Sequence, residues 1–261
     1  MTNAKDISRW QGTYSETGEP IVLVKISGGD QGLYIDPQAA NNYNQVIAHG
    51  HAFGGYHFAG GGDPIGEANF FLNAMKPWNP GEVPCLDWEI SHADPVGWVL
   101  SFANQVHAVA GAWPLVYMNR ATLMAYNWTP VLTNCGLWLA DWTGSPDGSI
   151  DTGSYTYTMQ QYNDGPTYDR DVFFGTVDQF KKYGWPGATP APAPTPPAPA
   201  PPPTPVPTPT PDPTPTPVPA PAPVPIPVPP VPVPPNPPTP KPPVIRKGWF
   251  WDLLRRLGFK V

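Results

Sequence analysis

Proline sets the first limit on this 261-residue chain. Residues 1–187 hold 12 prolines, and residues 188–243 hold the other 31 in 56 positions. Proline has no backbone N–H and fixes φ, so a segment this rich in it, with no aromatic residue and no apolar period, cannot build a packed core. The sequence therefore divides into a globular unit at 1–187, a disordered Pro-rich linker at 188–243, and a tail at 244–261. At the polyproline II rise of about 3.1 Å per residue, the linker reaches up to roughly 170 Å. The unit at 1–187 is the right size for one domain with a sizeable core.

Charge divides at nearly the same place. Residues 1–187 carry 8 Lys/Arg against 18 Asp/Glu, whereas from Lys241 onward 6 Lys/Arg face the single acid Asp252. An acidic body argues against nucleic acid as a partner, because phosphate binding needs a basic surface. In VIRKGWFWDLLRRLGFKV, Phe250, Leu253, Leu254 and Leu257 share one helical face and Arg255, Arg256 and Lys260 another. That pattern predicts a short amphipathic helix that meets an anionic membrane or wall surface. MTNAKDISRWQG lacks the apolar core of an export signal, and no 18-residue apolar run exists. Cys85 and Cys135 lie in apolar runs and read as buried free thiols. The chain is therefore expected to be made in a reducing compartment and to reach any outside target by another route.

Within 1–187, apolar runs at 21–26, 52–59, 83–90, 114–119 and 136–142, with a last one at 156–162, alternate with helical segments at 36–49, 66–78 and 95–110 and a shorter one at ATLMAY. Strand and helix in steps of about 30 residues predict an α/β fold with a parallel sheet. If the sheet closes into a barrel, chemistry collects at the C-terminal ends of its strands. Asp87 and Glu89 end the run VPCL on one face, about 6.6 Å apart along a strand, with Trp88 on the other. Two close acids separate their pKa values into one donor and one anion, the pair that glycoside hydrolysis uses. Asp6 is expected to open the first short strand, and Asp169 and Asp171 to follow the last. Trp10, Tyr56, Trp88, Tyr117, Trp138, Trp142 and Tyr162 lie near strand ends, and exposed rings there would stack on sugar faces. Phe53, Phe58 and Phe70 read as core.

Other chemistries fit less well. In HGHAFGGYH, His49 and His51 fall across a helix-to-strand turn and lack a third ligand at zinc spacing, so no metal or cofactor is expected, and His57 reads as a hydrogen-bonded histidine beside the site. Cys85 sits in mid-strand, where a thiol is inert. GGGDP lacks the Lys-Ser/Thr of a phosphate loop.

Together these motifs resemble the glycoside hydrolase family 25 lysozymes found among phage endolysins and bacterial autolysins. DISRWQG (6–12) is similar to the family's opening motif, and Asp36, Asn42, Gly50, Gly54 and GYHFA match its helix-to-strand spacing. LDWE (86–89) resembles its catalytic strand, PLVY (114–117) and LWLADW (137–142) its later strands, and QY (161–162) with YDRDVFFG (168–175) its closing motifs. The resemblance implies a distorted (β/α) barrel of about eight strands with a reduced number of helices. It implies an N-acetylmuramidase that cleaves the β-1,4 bond from N-acetylmuramic acid to N-acetylglucosamine in bacterial peptidoglycan. Glu89 would be the general acid/base, and Asp87 would stabilise the charge that develops as the substrate's N-acetyl group attacks. Asp6 and Asp169 would complete the acidic floor, with Asp169 preferred over Asp171. Tyr56, Tyr117, Trp138 and Gln161 would line the sugar site. One departure is Gly28, which stands where the family often has a glutamate. It keeps a non-catalytic wall-binding module as the competing class, with an amidase or peptidase as a third.

Overall fold

The computed structural model describes residues 1–187 except Thr13 and Pro166; the expected linker and amphipathic tail lie outside the described residues. Nine strands form one sheet: β1 (Thr2–Ile7), β2 (Ile21–Gly28), β3 (Tyr34–Ile35), β4 (Ala52–Phe58), β5 (Val83–Asp87), β6 (Leu115–Asn119), β7 (Leu137–Ala140), β8 (Met159–Asn163) and β9 (Asp169–Phe173). Hydrogen bonding runs β1-β9-β8-β7-β6-β5-β4-β2-β3, and β1 also pairs with β2. Eight strands thus close a barrel, and the two-residue β3 adds to the far half of β2, at Ser27–Gly28. The distorted barrel implied by the resemblance is the one observed.

The sheet is mixed rather than parallel. Every barrel pairing is parallel except those of β9, which runs against both β8 and β1. The run at 156–162 is therefore not the last strand. Only residues 164–168 separate β8 from β9. A link that short cannot make the crossover of a dozen or more residues that a parallel neighbour needs, so the chain must turn back. Asp6 is also placed differently from expectation: it lies one residue from the end of β1, paired with Leu23 of β2 and Asp169 of β9.

The helices are α1 (Ala39–Ala48), α2 (Pro64–Ala74), α3 (Pro95–Ala110), α4 (Arg120–Ala125), α5 (Thr129–Leu132) and α6 (Val177–Lys181). The longest, α3, shows how local sequence fixes such an element. Asp94 caps it by accepting from Gly97 N, Pro95 occupies the first turn where no N–H is needed, and Gly111 ends it at φ 69°. Its Trp98, Phe102 and Val106 pack with α2's Phe71 and Leu72 against outward residues of the sheet, including Leu86 and Val116. Alternate residues on the same strands fill the barrel: Leu23, Cys85, Leu115, Met159 and Phe173, joined by Phe180 of α6. Cys85 and Cys135 are both free and buried, as expected.

Candidate active site

The inner face of the barrel changes character along its length. In β1 it reads Ala4 then Asp6, in β5 Cys85 then Asp87, and in β8 Met159 then Gln161. Strand β9 runs the other way and reads Asp169, Asp171, Phe173. Because side chains alternate with period two, each strand carries an apolar residue deep in the barrel and a polar one toward the mouth. All the polar ends lie at the C-terminal mouth of the parallel strands. Register confirms the convergence: Asp6 pairs with Asp169, Gln161 with Asp171, and Asp87 with Tyr117.

Tyr117 lies at the focus. Burial pushes its hydroxyl pKa well up, and the charges of Glu89, Asp87, Asp6 and Asp169 push it further. Tyr56 is raised in the same way, first by burial and then by Asp6, Asp87, Asp169 and Asp36. Two neighbouring phenols thus feel one group of acids, which brings Asp6, Asp87, Glu89 and Asp169 together around one space. Asp87 is buried in the barrel, Trp88 turns outward, and Glu89 stands exposed two residues past the end of β5. The β5–β6 pairing continues past Asp87, since Trp88 N donates to Tyr117 O at 2.9 Å.

A hydrogen-bonded chain orders the floor. Gln161 Oε1 accepts from Tyr117 Oη and from Trp142 Nε1, each at 2.9 Å. With its oxygen engaged twice, its amide nitrogen is directed to Asp6 and donates to Oδ2 at 2.7 Å. Trp138 Nε1 donates to Asp171 Oδ1 at 2.7 Å. Burial raises the Asp171 carboxyl well above the usual carboxylate range. The charges of Asp6 and Asp169 and a hydrogen bond shared with Asp6 raise it further, against the opposing effect of Trp138. Asp171 is therefore the member of this group that holds a proton.

Some expectations change. Tyr56, Tyr117 and Trp138 are buried in the floor rather than exposed for stacking; the exposed rings at strand ends are Trp10 and Trp142, 62 % and 42 % accessible. Arg9 lies over Trp10, its guanidinium 4.7 Å from the ring centroid. His57 is hydrogen-bonded, but on the outward face of β4, between Ser27 Oγ at 2.8 Å and Glu67 Oε2 at 2.9 Å, and stacked on Phe102. His51 bonds Glu16 at 2.6 Å. At Gly28 a Cβ would come within 2.4 Å of the Tyr34 hydroxyl, which itself donates to Asp30 at 2.9 Å. Tyr34 thus covers the place where a glutamate side chain would start.

The sequence motifs placed Asp171 only second to Asp169 and gave no sign of Lys25. The period of β9 could have found Asp171, since Asp169, Asp171 and the core residue Phe173 share a face. Lys25 follows Leu23 on the inner face of β2, buried, with its ammonium 4.3 Å from the Phe58 ring centroid. The same parity would have placed it there.

Known proteins share this architecture. The family model for glycosyl hydrolases family 25 matches residues 5–169. The N,O-diacetylmuramidase of Chalaropsis sp is 30 % identical over 205 residues, spanning 68 % of this chain and 96 % of that protein. The muramidase from Trichobolus zukalii is 26 % identical at a TM-score of 0.59, with 70 % of this chain and 99 % of that one covered. A family GH25 lysozyme from Aspergillus fumigatus is 25 % identical at a TM-score of 0.59, over 70 % of this chain and 98 % of that one. Sequence match and barrel agree: the chain belongs to family 25 of the glycosyl hydrolases.

Proposed function

We propose that the chain is a muramidase that hydrolyses the β-1,4 bond from N-acetylmuramic acid to N-acetylglucosamine in peptidoglycan. The observation that carries this reading is the convergence of Asp6, Asp87, Glu89 and Asp169 around Tyr117 at the barrel mouth. Glu89, exposed at the rim, donates the proton to the leaving oxygen and later takes one from water. Asp87, one alternation deeper on the same strand, faces the sugar's N-acetyl nitrogen and stabilises the positive charge as the acetyl oxygen attacks the anomeric carbon. Gln161 donates to Asp6, and protonated Asp171 lets three acids share the floor with one charge fewer. Trp10 and Trp142 supply the exposed ring faces on which pyranoses stack.

The two buried free thiols suit a chain that folds where thiols stay reduced. They support an origin as a phage endolysin, made in the host cytoplasm and released to the wall, ahead of a bacterial autolysin. The basic segment from Lys241 onward would then meet an anionic membrane or wall polymer.

Mass analysis of digested peptidoglycan tests the reaction. New reducing ends at muramic acid are expected. Free stem peptides would instead mark an amidase or peptidase, and intact glycan a binding module.

A further inference from the structure

A pocket of about 260 Å³ lies past the ends of β5 and β6, against the stretch of chain that carries Glu89. Both chain neighbours of Glu89, Trp88 and Ile90, line it, with His92 from the same loop and Ala121, Thr122 and Tyr126 from α4 and the residue after it. Its chemistry differs from that of the barrel mouth. No Asp, Glu, Lys or Arg lines it. Its reachable side-chain donors point to an acceptor as the ligand. Trp88, 1 % exposed with its Nε1 buried, contributes only an edge of its ring. His92 Nδ1 accepts from Asp94 N at 3.0 Å, which puts the proton of the neutral ring on Nε2 and makes that atom a donor. The Thr122 hydroxyl can donate as well, and Ile90, Ala121 and the Tyr126 ring are apolar.

Such a lining suits an uncharged group that presents carbonyl oxygens and small alkyl groups, which describes a short stretch of peptide. Size agrees. At a share of about 30 Å³ per water, the pocket holds roughly nine waters' worth of volume, so a lone acetyl group would leave most of it empty. We infer that the pocket receives the neutral, sugar-proximal start of the peptide stem on the muramoyl residue whose bond Glu89 breaks. This rests on the muramidase reading. Peptide-bearing glycan is then the preferred substrate, because the amide carbonyls of its stem supply acceptors for His92 Nε2 and the Thr122 hydroxyl.

The test compares kcat/KM on peptide-bearing glycan with kcat/KM on the same glycan stripped of its stems by an amidase. The wild type is expected to prefer the peptide-bearing form by about tenfold, the scale of one or two satisfied donors. Ala121→Trp, which fills the pocket, should remove that preference and leave the stripped substrate unaffected. His92→Ala, on a partly exposed loop, should reduce the preference without touching α4. Equal wild-type values on the two substrates, or an equal loss on both in His92→Ala, would overturn the inference. Absence of reducing ends from either substrate would instead overturn the muramidase reading, and the pocket assignment with it.

Discussion

Two buried carboxyl groups on opposite sides of one sheet wall meet opposite fates. Outside the barrel, Glu67 accepts from His57 Nε2 at 2.9 Å, Gly60 N at 2.7 Å and Gly62 N at 2.8 Å. Burial alone would raise its pKa, but these donors outweigh burial and hold it below the usual value, while burial keeps His57 neutral. Inside, Asp171 has one neutral donor, Trp138, and negative neighbours, and it keeps its proton. Tyr56 and His57, adjacent on β4, belong to the two sides. The difference separates architecture from chemistry. An acid that holds a loop in place is surrounded by donors, whereas the acids at the mouth gather around one space.

The comparison can be broken first at Glu67. Glu67→Ala leaves the N–H groups of Gly60 and Gly62 and the ring of His57 without their acceptor in a buried place. The expected cost is about 3 kcal/mol, or roughly 10 °C in Tm for a domain of this size. Gly61 abuts Ile90, since a Cβ there would come within 2.6 Å of Ile90 Cδ1, so the loop held by Glu67 also braces the loop that carries Glu89. Thermal unfolding checks this: an unchanged Tm would show that Glu67 is not structural.

A smaller effect of opposite sign is expected at Asp171. Its folded pKa lies above its unfolded value, so over the window between them the folded state holds a proton that the unfolded chain releases. Stability from this group therefore declines as pH rises from about 4, the ordinary carboxylate value, toward the raised folded pKa. Asp171→Asn keeps the acceptor for Trp138 and removes that decline. The variant should match the wild type in Tm below about pH 4 and exceed it increasingly toward neutrality. A Tm deficit that is the same at every pH would mean that Asp171 is ionised and favourably paired.

Much of this contrast was legible in the sequence. The runs at 21–26, 52–59 and 83–90 fixed three strands because β-branched and apolar residues crowd them, and the Asp-Trp-Glu order fixed which way Asp87 and Trp88 face. The helical segment at 95–110 coincides with α3. What escaped was set by distant partners. TNAKDI has weak strand character, and Asp6 became a strand-end residue only because β1 pairs with both β2 and β9. DRDVF, with two acids and an arginine, resembles a loop until its alternation is matched to Phe173 in the core. Burial of Tyr117 and Trp138 also came from closure of the barrel, which turns rings that would be exposed on an open sheet into its floor. The part played by Tyr34 at Gly28 depends on a two-residue strand that no local pattern announces.

The central claim is that acids at the mouth perform the chemistry while the donor-saturated acid outside maintains the fold. Turnover and Tm measured together on Glu89→Gln test it most directly. The substitution keeps the size of an exposed side chain and removes only its ability to give and take a proton. Release of muramic acid reducing ends should fall by about 10²- to 10⁴-fold, with Tm and binding to intact walls unchanged. Turnover at the wild-type rate, or a loss of activity fully explained by a fall in Tm, would contradict the assignment of Glu89.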